Sequence, residues 1–132
     1  MSEKTFHLEI VTPRGLIFEG EATWIRLPGV LGETGILADH APLLALLEPG
    51  VGVYRVLDRD HPLALGEGFV TVGENRVVVL VESADRPEDI DREAARQEVA
   101  HLDAAPGGAW VDPESRARRR LAMARQQVAA WS

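Results

Sequence analysis

The residues with the clearest chemical potential are an adjacent carboxylate and imidazole, Asp39 and His40. A carboxylate that orients a histidine is half of the arrangement that activates a nucleophile. The alternative is that His40 caps or packs a turn beside Pro42, and this interpretation is favoured because no motif places a nucleophile near the pair. With no cysteine, and with 4 histidines that lack metal-ligand spacing, the sequence predicts no metal site.

A second chemical feature is a group of arginines near the C-terminus. The segment that contains them holds only Asp112 and Glu114 as acids, whereas the segment before it, residues 91–103, has more acids than bases. A basic cluster of this kind is either a solvated helix face or a binding surface for an acidic protein, and both interpretations remain open. The arginines are Arg116, Arg118, Arg119, Arg120 and Arg125.

Composition restricts the class of protein. A chain of 132 residues with 45% apolar and 27% charged residues forms one globular domain, or one domain with an appendage. The net charge of -7 opposes nucleic-acid binding, which requires a basic face. No apolar run approaches the ~20 residues of a spanning helix, and no signal peptide is visible, so we expect a soluble, cytoplasmic chain.

The first two thirds of the chain have the pattern of short strands. Apolar and polar residues alternate, and turn signals separate the runs, which indicates a flattened β-sandwich or barrel. The predicted strands are residues 6–12, 16–18, 22–27, 43–47, 51–57, 63–65, 69–72 and 76–81.

The connections between these strands are predicted from glycine and proline. Pro28 and Gly29 end the third strand, and residues 58–60 end the fifth. Residues 32–44 form a sharp two-corner connection, because Gly32 and Gly35 reach unusual backbone angles and Pro42 prevents a helix. Residues 66–68 mark a bulge or a close backbone approach, and residues 73–75 a tight hairpin turn.

The last third of the chain is predicted to form an antiparallel hairpin of two helices. Asp91 is the expected N-cap of the first helix, which ends at residues 105–108. Asp112 and Pro113 begin the second helix, which runs to about Trp131. We therefore expect a sandwich at residues 1–86 and a hairpin at residues 87–132. Because the apolar faces are narrow and rich in alanine, we expect the hairpin to dock weakly and to be able to leave the sandwich.

Four motifs together resemble the epsilon subunit of F-type ATP synthases over essentially the whole chain. They are FHLEIVTPRG at residues 6–15, GETGILADHAPL at residues 32–43, GEGFVTV at residues 66–72 and EDID at residues 88–91.

The resemblance implies a non-catalytic subunit of the central rotor that takes part in ATP synthesis and proton transport. The sandwich would bind the gamma subunit and rest on the c-ring, with Glu33 and Thr34 at an exposed tip that faces the c-ring. The extended hairpin would bring the five arginines to an acidic segment of a beta subunit and inhibit hydrolysis. The chain would lie at the cytoplasmic face of the inner or plasma membrane, bound to it only indirectly, and His40 would be architectural. The alternative is a small sandwich enzyme or an unrelated binding module that uses Asp39 and His40.

The resemblance also implies a degenerate nucleotide site. Family members that bind ATP use a motif Ile-Asp-x-x-Arg-Ala together with arginines of the second helix. Here Ile90, Asp91 and Arg125 match, whereas Ala94 and Leu121 replace arginines. We therefore expect weak or absent ATP binding, with Arg92 and Arg96 as candidate substitutes, and predict no cofactor.

Overall fold

The predicted fold class is confirmed: a nearly closed β-sandwich is followed by a hairpin of two helices. The computed structural model describes residues 3–108 and 112–131. The strands are β1 (Phe6–Thr12), β2 (Gly15–Ala22), β3 (Trp24–Gly29), β4 (Gly32–Leu37), β5 (Leu43–Leu47), β6 (Gly50–Val56), β7 (Arg59–Leu65), β8 (Gly68–Gly73), β9 (Arg76–Val81) and β10 (Ala84–Asp85). A 3-10 turn at Pro87–Asp89 precedes the helices α1 (Arg92–Ala104) and α2 (Pro113–Ala129).

The strands form one sheet that curves around a single core. Its order is β10-β7-β6-β3-β5-β8-β9-β1-β2, and β4 pairs with β3 outside this path. Among the described strands, β1 and β9 pair in parallel and the other neighbours are antiparallel. The alternation read from β1 is confirmed, since Phe6, Leu8 and Ile10 are buried while the residues between them are half-buried. One face of the sheet therefore forms the core, and the other meets solvent or the hairpin.

The predicted connection at residues 32–44 is wrong in its first half. Residues 32–37 form strand β4, which makes a hairpin with β3. Pro28 does not end β3, because the strand continues to pair with β4 through the Pro28–Glu33 and Gly29–Gly32 pairs, and the Pro28 carbonyl oxygen accepts from Glu48 N–H at 2.9 Å. Gly32 has a φ of +128°, as a glycine corner requires, whereas Gly35 lies in the regular strand. The sharp turn is therefore at Val30 and Leu31.

Other boundaries also differ from the sequence predictions. Leu57 and Asp58 both have positive φ and form the two-residue turn between β6 and β7, so that Arg59 already belongs to β7. The predicted close approach at residues 66–68 is confirmed, because a Cβ on Gly68 would lie 1.9 Å from the Leu80 carbonyl oxygen. The hairpin turn before β9 is confirmed as well, with positive φ at residues 74 and 75.

Both helices begin where their caps predicted. The Asp91 carboxylate accepts from Ala94 N–H at 3.0 Å, and the Asp112 carboxylate accepts from Ser115 N–H at 2.7 Å. The α2 helix packs on β6 and β7, and α1 packs on α2. Helix α2 ends at Ala129, slightly earlier than predicted. The hairpin is thus attached to the sandwich mainly through one of its two helices.

Candidate functional site

Asp39 and His40 make structural contacts in the loop after β4. Asp39 has a φ of 63°, its N–H donates to Asn75 Oδ1 at 2.8 Å, and its carboxylate lies 3.6 Å from Lys4 Nζ. His40 Nδ1 lies 2.6 Å from the Ala41 carbonyl oxygen. These contacts attach the loop to the β8–β9 turn and to the start of β1. They favour the structural interpretation of the pair over the enzymatic alternative.

A row of apolar side chains crosses the outer face of the sheet. Five residues on adjacent strands lie directly opposite one another, and we name them the apolar stripe: Leu46, Phe69, Leu80, Val11 and Leu16. Leu46 and Leu16 are more than half exposed, at 65% and 56%. A groove of about 650 Å³ runs along the stripe and is bordered by Glu67 and Glu82. A continuous apolar row of this kind is typical of a protein-binding surface.

The sequence prediction missed this surface. Residues 43–47 form the predicted strand, but its run of leucines does not make it a buried strand, because Leu44 is 70% exposed and only Leu47 of this strand is fully buried. A run of leucines does not show which face of its strand meets the core. The stripe appears only when the register is followed across the strands, from the pairing of Leu46 with Phe69 to that of Phe69 with Leu80 and onward.

The exposed tip of the sandwich is the β3–β4 turn. Leu31 is completely exposed and Val30 is half exposed, although both are large apolar residues. Val30 N–H donates to the Leu46 carbonyl oxygen at 2.9 Å, so the tip continues the apolar stripe. Glu33 and Thr34, expected at the tip, lie instead in β4, where Glu33 pairs with Pro28 across the hairpin.

The hairpin docks through a small apolar cluster. Val128 and Ala124 of α2 are buried against Ala64 of β7, and Leu121 and Ile90 pack at the border of the cluster. The predicted narrow, alanine-rich face of α2 is therefore confirmed at Ala124 and Val128. It is narrow because small side chains contribute little apolar area.

While the hairpin is docked on the sandwich, arginines of the predicted cluster are paired with acidic side chains. Arg118 bonds Glu98 at 2.5 Å, and Arg119 bonds Asp103 through two contacts at 2.7 and 3.2 Å, both within the hairpin. The hydrogen bond from Arg119 lowers the pKa of the Asp103 carboxyl.

Two further arginines of the cluster reach the sandwich. Arg120 bonds Glu48 at 3.2 Å, and Arg125 bonds Asp85 at 2.8 Å. Arg116 lies in the first turns of α2, where its backbone N–H donates to the Asp112 carbonyl oxygen. Docking of α2 therefore joins arginines from the cluster to acids of the sandwich.

The residues of the expected nucleotide site do come together. Ile90, Asp91 and Arg125 line a cavity of about 450 Å³ between α1, α2 and the end of β10, and Ala94 and Leu121 line it too. Its ionisable lining consists of four carboxylates and two guanidinium groups: Asp85, Asp89, Asp91, Glu98, Arg118 and Arg125. Both guanidinium groups are bonded to carboxylates of the same lining. This charge distribution opposes the entry of a polyphosphate.

The two candidate substitute arginines line a different groove. Arg92 and Arg96 lie beside Glu93 and Gln126, and Arg96 is bonded to Glu93. The side-chain hydrogen bond between this pair lowers the pKa of the Glu93 carboxyl. The structure therefore does not bring Arg92 or Arg96 into the lining of the expected nucleotide site.

Within the described residues, no helix has the length and apolar character to span a membrane. The sandwich can be assigned to a class by comparison with known proteins. The family described as the beta-sandwich domain of the ATP synthase delta/epsilon chain matches residues 5–87. An ATP synthase epsilon chain of Nitratidesulfovibrio vulgaris (strain DSM 19637 / Miyazaki F) is 44% identical over 95 residues, 72% of this chain and 71% of the relative.

A longer alignment extends the similarity into the hairpin. An ATP synthase epsilon chain of Nitratidesulfovibrio vulgaris (strain DP4) is 36% identical over 126 residues, 96% of this chain and 83% of the relative. The chain therefore belongs to the ATP synthase epsilon chain family, which confirms the resemblance read from its motifs. The fold is also that of a chain in the cryo-EM structure of the Euglena gracilis mitochondrial ATP synthase OSCP/F1/c-ring, with a TM-score of 0.73, 19% identity and coverage of 98% and 82% of the two chains.

Proposed function

We propose that the chain is a non-catalytic subunit of the central rotor of an F-type ATP synthase, located peripherally at the cytoplasmic face of the membrane. It joins the gamma subunit to the c-ring, and its hairpin regulates ATP hydrolysis. The observation that carries this proposal is the apolar stripe, which continues into the exposed tip. The family of the chain and the F1/c-ring assembly named for the similar Euglena gracilis structure support it.

The apolar stripe is the proposed contact for the gamma subunit. It offers an apolar row with a groove, and the acids Glu67 and Glu82 at its border suit a partner with basic residues. We expect Leu46→Glu to abolish co-purification with co-expressed gamma, because a charge would be buried in the interface. The matched control is Leu57→Glu, at a leucine that is 88% exposed in the β6–β7 turn and outside the stripe. Equal binding of gamma by both variants would contradict the assignment.

The tip is the proposed contact for the c-ring. Val30 and Leu31 supply exposed apolar surface, and Glu33 lies nearby in β4 with an exposed side chain. We expect Leu31→Asp to weaken attachment of the reconstituted F1 part to c-ring membranes and to leave gamma binding unchanged. Loss of gamma binding together with membrane attachment would instead assign the tip to the gamma contact.

The hairpin is the proposed regulatory element, and we divide the chain into residues 1–86 and 87–132 on this basis. Arg120 and Arg125 exchange a sandwich acid for solvent when the hairpin leaves, whereas the pairs of Arg118 and Arg119 are internal to the hairpin. These released arginines, with the rest of the cluster, would contact an acidic segment of a beta subunit and oppose hydrolysis.

The regulatory role is tested by ATP hydrolysis of the reconstituted complex with and without the residues after Glu88. Faster hydrolysis by the truncated form is the expected result, and unchanged hydrolysis would refute regulation while leaving the rotor role intact. A second variant, Glu48→Gln with Asp85→Asn, removes the sandwich partners of the arginines and should deepen inhibition. Because the proposed contact is electrostatic, inhibition should weaken as salt is raised.

ATP binding by the folded hairpin is proposed to be weak or absent. Ala94 and Leu121 supply no cation to a cavity that is already rich in carboxylates. Calorimetry should detect no binding at micromolar ATP, and the double variant Ala94→Arg with Leu121→Arg should bind more tightly than the wild type. Micromolar affinity of the unmodified chain would contradict the proposal.

A further inference from the structure

A cluster of ionisable side chains lies on the outer face of β1 and β2, separate from the hairpin. The strand register places His7 opposite Glu21 and Glu9 opposite Glu19, and it places Arg76 of β9 beside His7. Like charges directly opposite on neighbouring strands are destabilising. Three carboxylates surround one imidazole here, and the guanidinium of Arg76 contacts only Glu9 among them.

The donor atoms of this cluster have the spacing of metal ligands. His7 Nε2 lies 3.3 Å from Glu9 Oε1 and 3.2 Å from Glu19 Oε2, and the three atoms lie within 4.8 Å of one another. Zinc binds imidazole nitrogen and carboxylate oxygen at about 2.0–2.2 Å in a tetrahedron, whose edges are then about 3.3 Å. The donor atoms are thus close enough for one ion, and the Arg76 guanidinium that contacts Glu9 Oε1 would move aside when the ion binds.

The orientation of the imidazole also favours a cation at this point. His7 Nδ1 lies 3.3 Å from Glu21 Oε2, and an ionised carboxylate only accepts hydrogen bonds, so the tautomer with its proton on Nδ1 satisfies this contact. In that tautomer, Nε2 faces the Glu9 and Glu19 carboxylates with a lone pair, an arrangement that a cation bound between the three groups makes favourable. A single proton on Nε2 can be donated to only one of the two carboxylates at a time, whereas a metal ion can bind Nε2, Glu9 and Glu19 together. A carboxylate on the opposite ring nitrogen is the usual outer partner of a metal-bound histidine.

We propose that His7, Glu9 and Glu19 form a binding site for a divalent transition metal of the zinc class, with Glu21 as the positioning residue for His7. Imidazole and carboxylate ligands suit zinc, and a water molecule would complete the tetrahedron. The His7 side chain is one-third exposed, so the site is open to solvent. Arg76 competes with the metal for Glu9. The site goes beyond the proposed rotor function and does not depend on it.

A metal at this site would join the terminal strand β2 to β1. Glu9 lies two residues before Val11 on the same face of β1, so the site borders the apolar stripe. The ion would therefore fix the end of the surface proposed to contact gamma.

The test is calorimetric titration of the full chain with zinc chloride at neutral pH in a buffer that does not chelate metals. We expect one ion per chain. His7→Ala and Glu19→Gln should each weaken binding by at least about tenfold, since even outer partners of metal ligands contribute about 10–100-fold. His101→Ala, at an exposed histidine of α1, is the matched control and should bind as the wild type does. Arg76→Gln should bind more tightly because the competing cation is removed.

Three results would overturn the proposal. They are failure of the wild type to bind one zinc ion per chain, equal zinc affinity of the wild type and Glu19→Gln, and a lower zinc affinity of Arg76→Gln than of the wild type. Glu19 is half exposed, so its substitution tests the site even where His7→Ala fails to fold. Cobalt provides a second readout, because the visible absorption of a tetrahedral site should appear in the wild type and disappear in Glu19→Gln. Cobalt absorption that is identical in the two proteins would also contradict the site.

Discussion

Substitution of Val128 by alanine should release the hairpin from the sandwich without unfolding the sandwich. Val128 is completely buried in the cluster with Ala124 and Ala64. The change removes two methyl groups, and each buried carbon of this kind stabilises the packed state by about 0.8 kcal/mol. The free energy of docking should therefore weaken by about 1.6 kcal/mol. That free energy shifts the docking equilibrium about 15-fold toward the undocked hairpin, and the cavity left by the missing methyl groups would add to this shift.

Hydrogen exchange measured by mass spectrometry can detect this shift. Amides of α2 should exchange about 15-fold faster in Val128→Ala, because an undocked helix of this length is marginal in water. Amides of β8 and β9 should keep their protection. The matched control is Val30→Ala, which removes the same groups from the exposed tip and should change neither region in the isolated chain. Equal loss of protection in α2 and in the sandwich would refute separate undocking.

Two further predictions concern the sandwich and the pH dependence of the hairpin. Gly68→Ala should lower the free energy of unfolding by more than about 3 kcal/mol in urea titrations, because the added Cβ would overlap the Leu80 carbonyl oxygen. The matched control is Gly73→Ala, where the added Cβ would meet no neighbouring atom. It should lower the free energy of unfolding by less than about 1 kcal/mol. An equal effect of the two substitutions would contradict this explanation. The Arg119 hydrogen bond lowers the pKa of Asp103 in the folded state. The pair therefore stabilises the hairpin fully above the unfolded-state pKa of Asp103, and this stabilisation is lost as the pH falls through the folded-state pKa. Helix protection should therefore fall on acidification below about pH 4, and Asp103→Asn should reduce this part of the pH dependence; an identical profile in the variant would refute the assignment.

The sandwich and the helices could largely be predicted because their signals are local. Alternation along β1 shows its core face, and the Asp91 and Asp112 carboxylates cap their own helices within three residues. The same reasoning failed at residues 32–37. There, two glycines and a polar tip indicated a turn, and pairing with β3 produced a strand. Tertiary pairing outweighed a local preference that was itself weak.

The candidate surfaces were predicted less completely than the fold. The arginine cluster was visible from composition, but its partners Glu48 and Asp85 lie far away in the chain. The sequence placed the exposed tip at Glu33, whereas the structure has it at Leu31, because the position of the turn depends on the register of β3 and β4. The residues of the expected nucleotide site could be identified in advance, whereas the acidic character of their cavity could not.

The sequence by itself determined the class of fold, the two helix starts and the arginine-rich face, because each depends on residues within a few positions of one another. The tertiary structure decided which side chains meet. Cross-strand register aligned Leu46, Phe69 and Leu80 into an apolar stripe, and it brought the His7 and Glu19 side chains together from two neighbouring strands. Periodicity shows which face of a strand a residue occupies, but it carries no information about the neighbour on the adjoining strand.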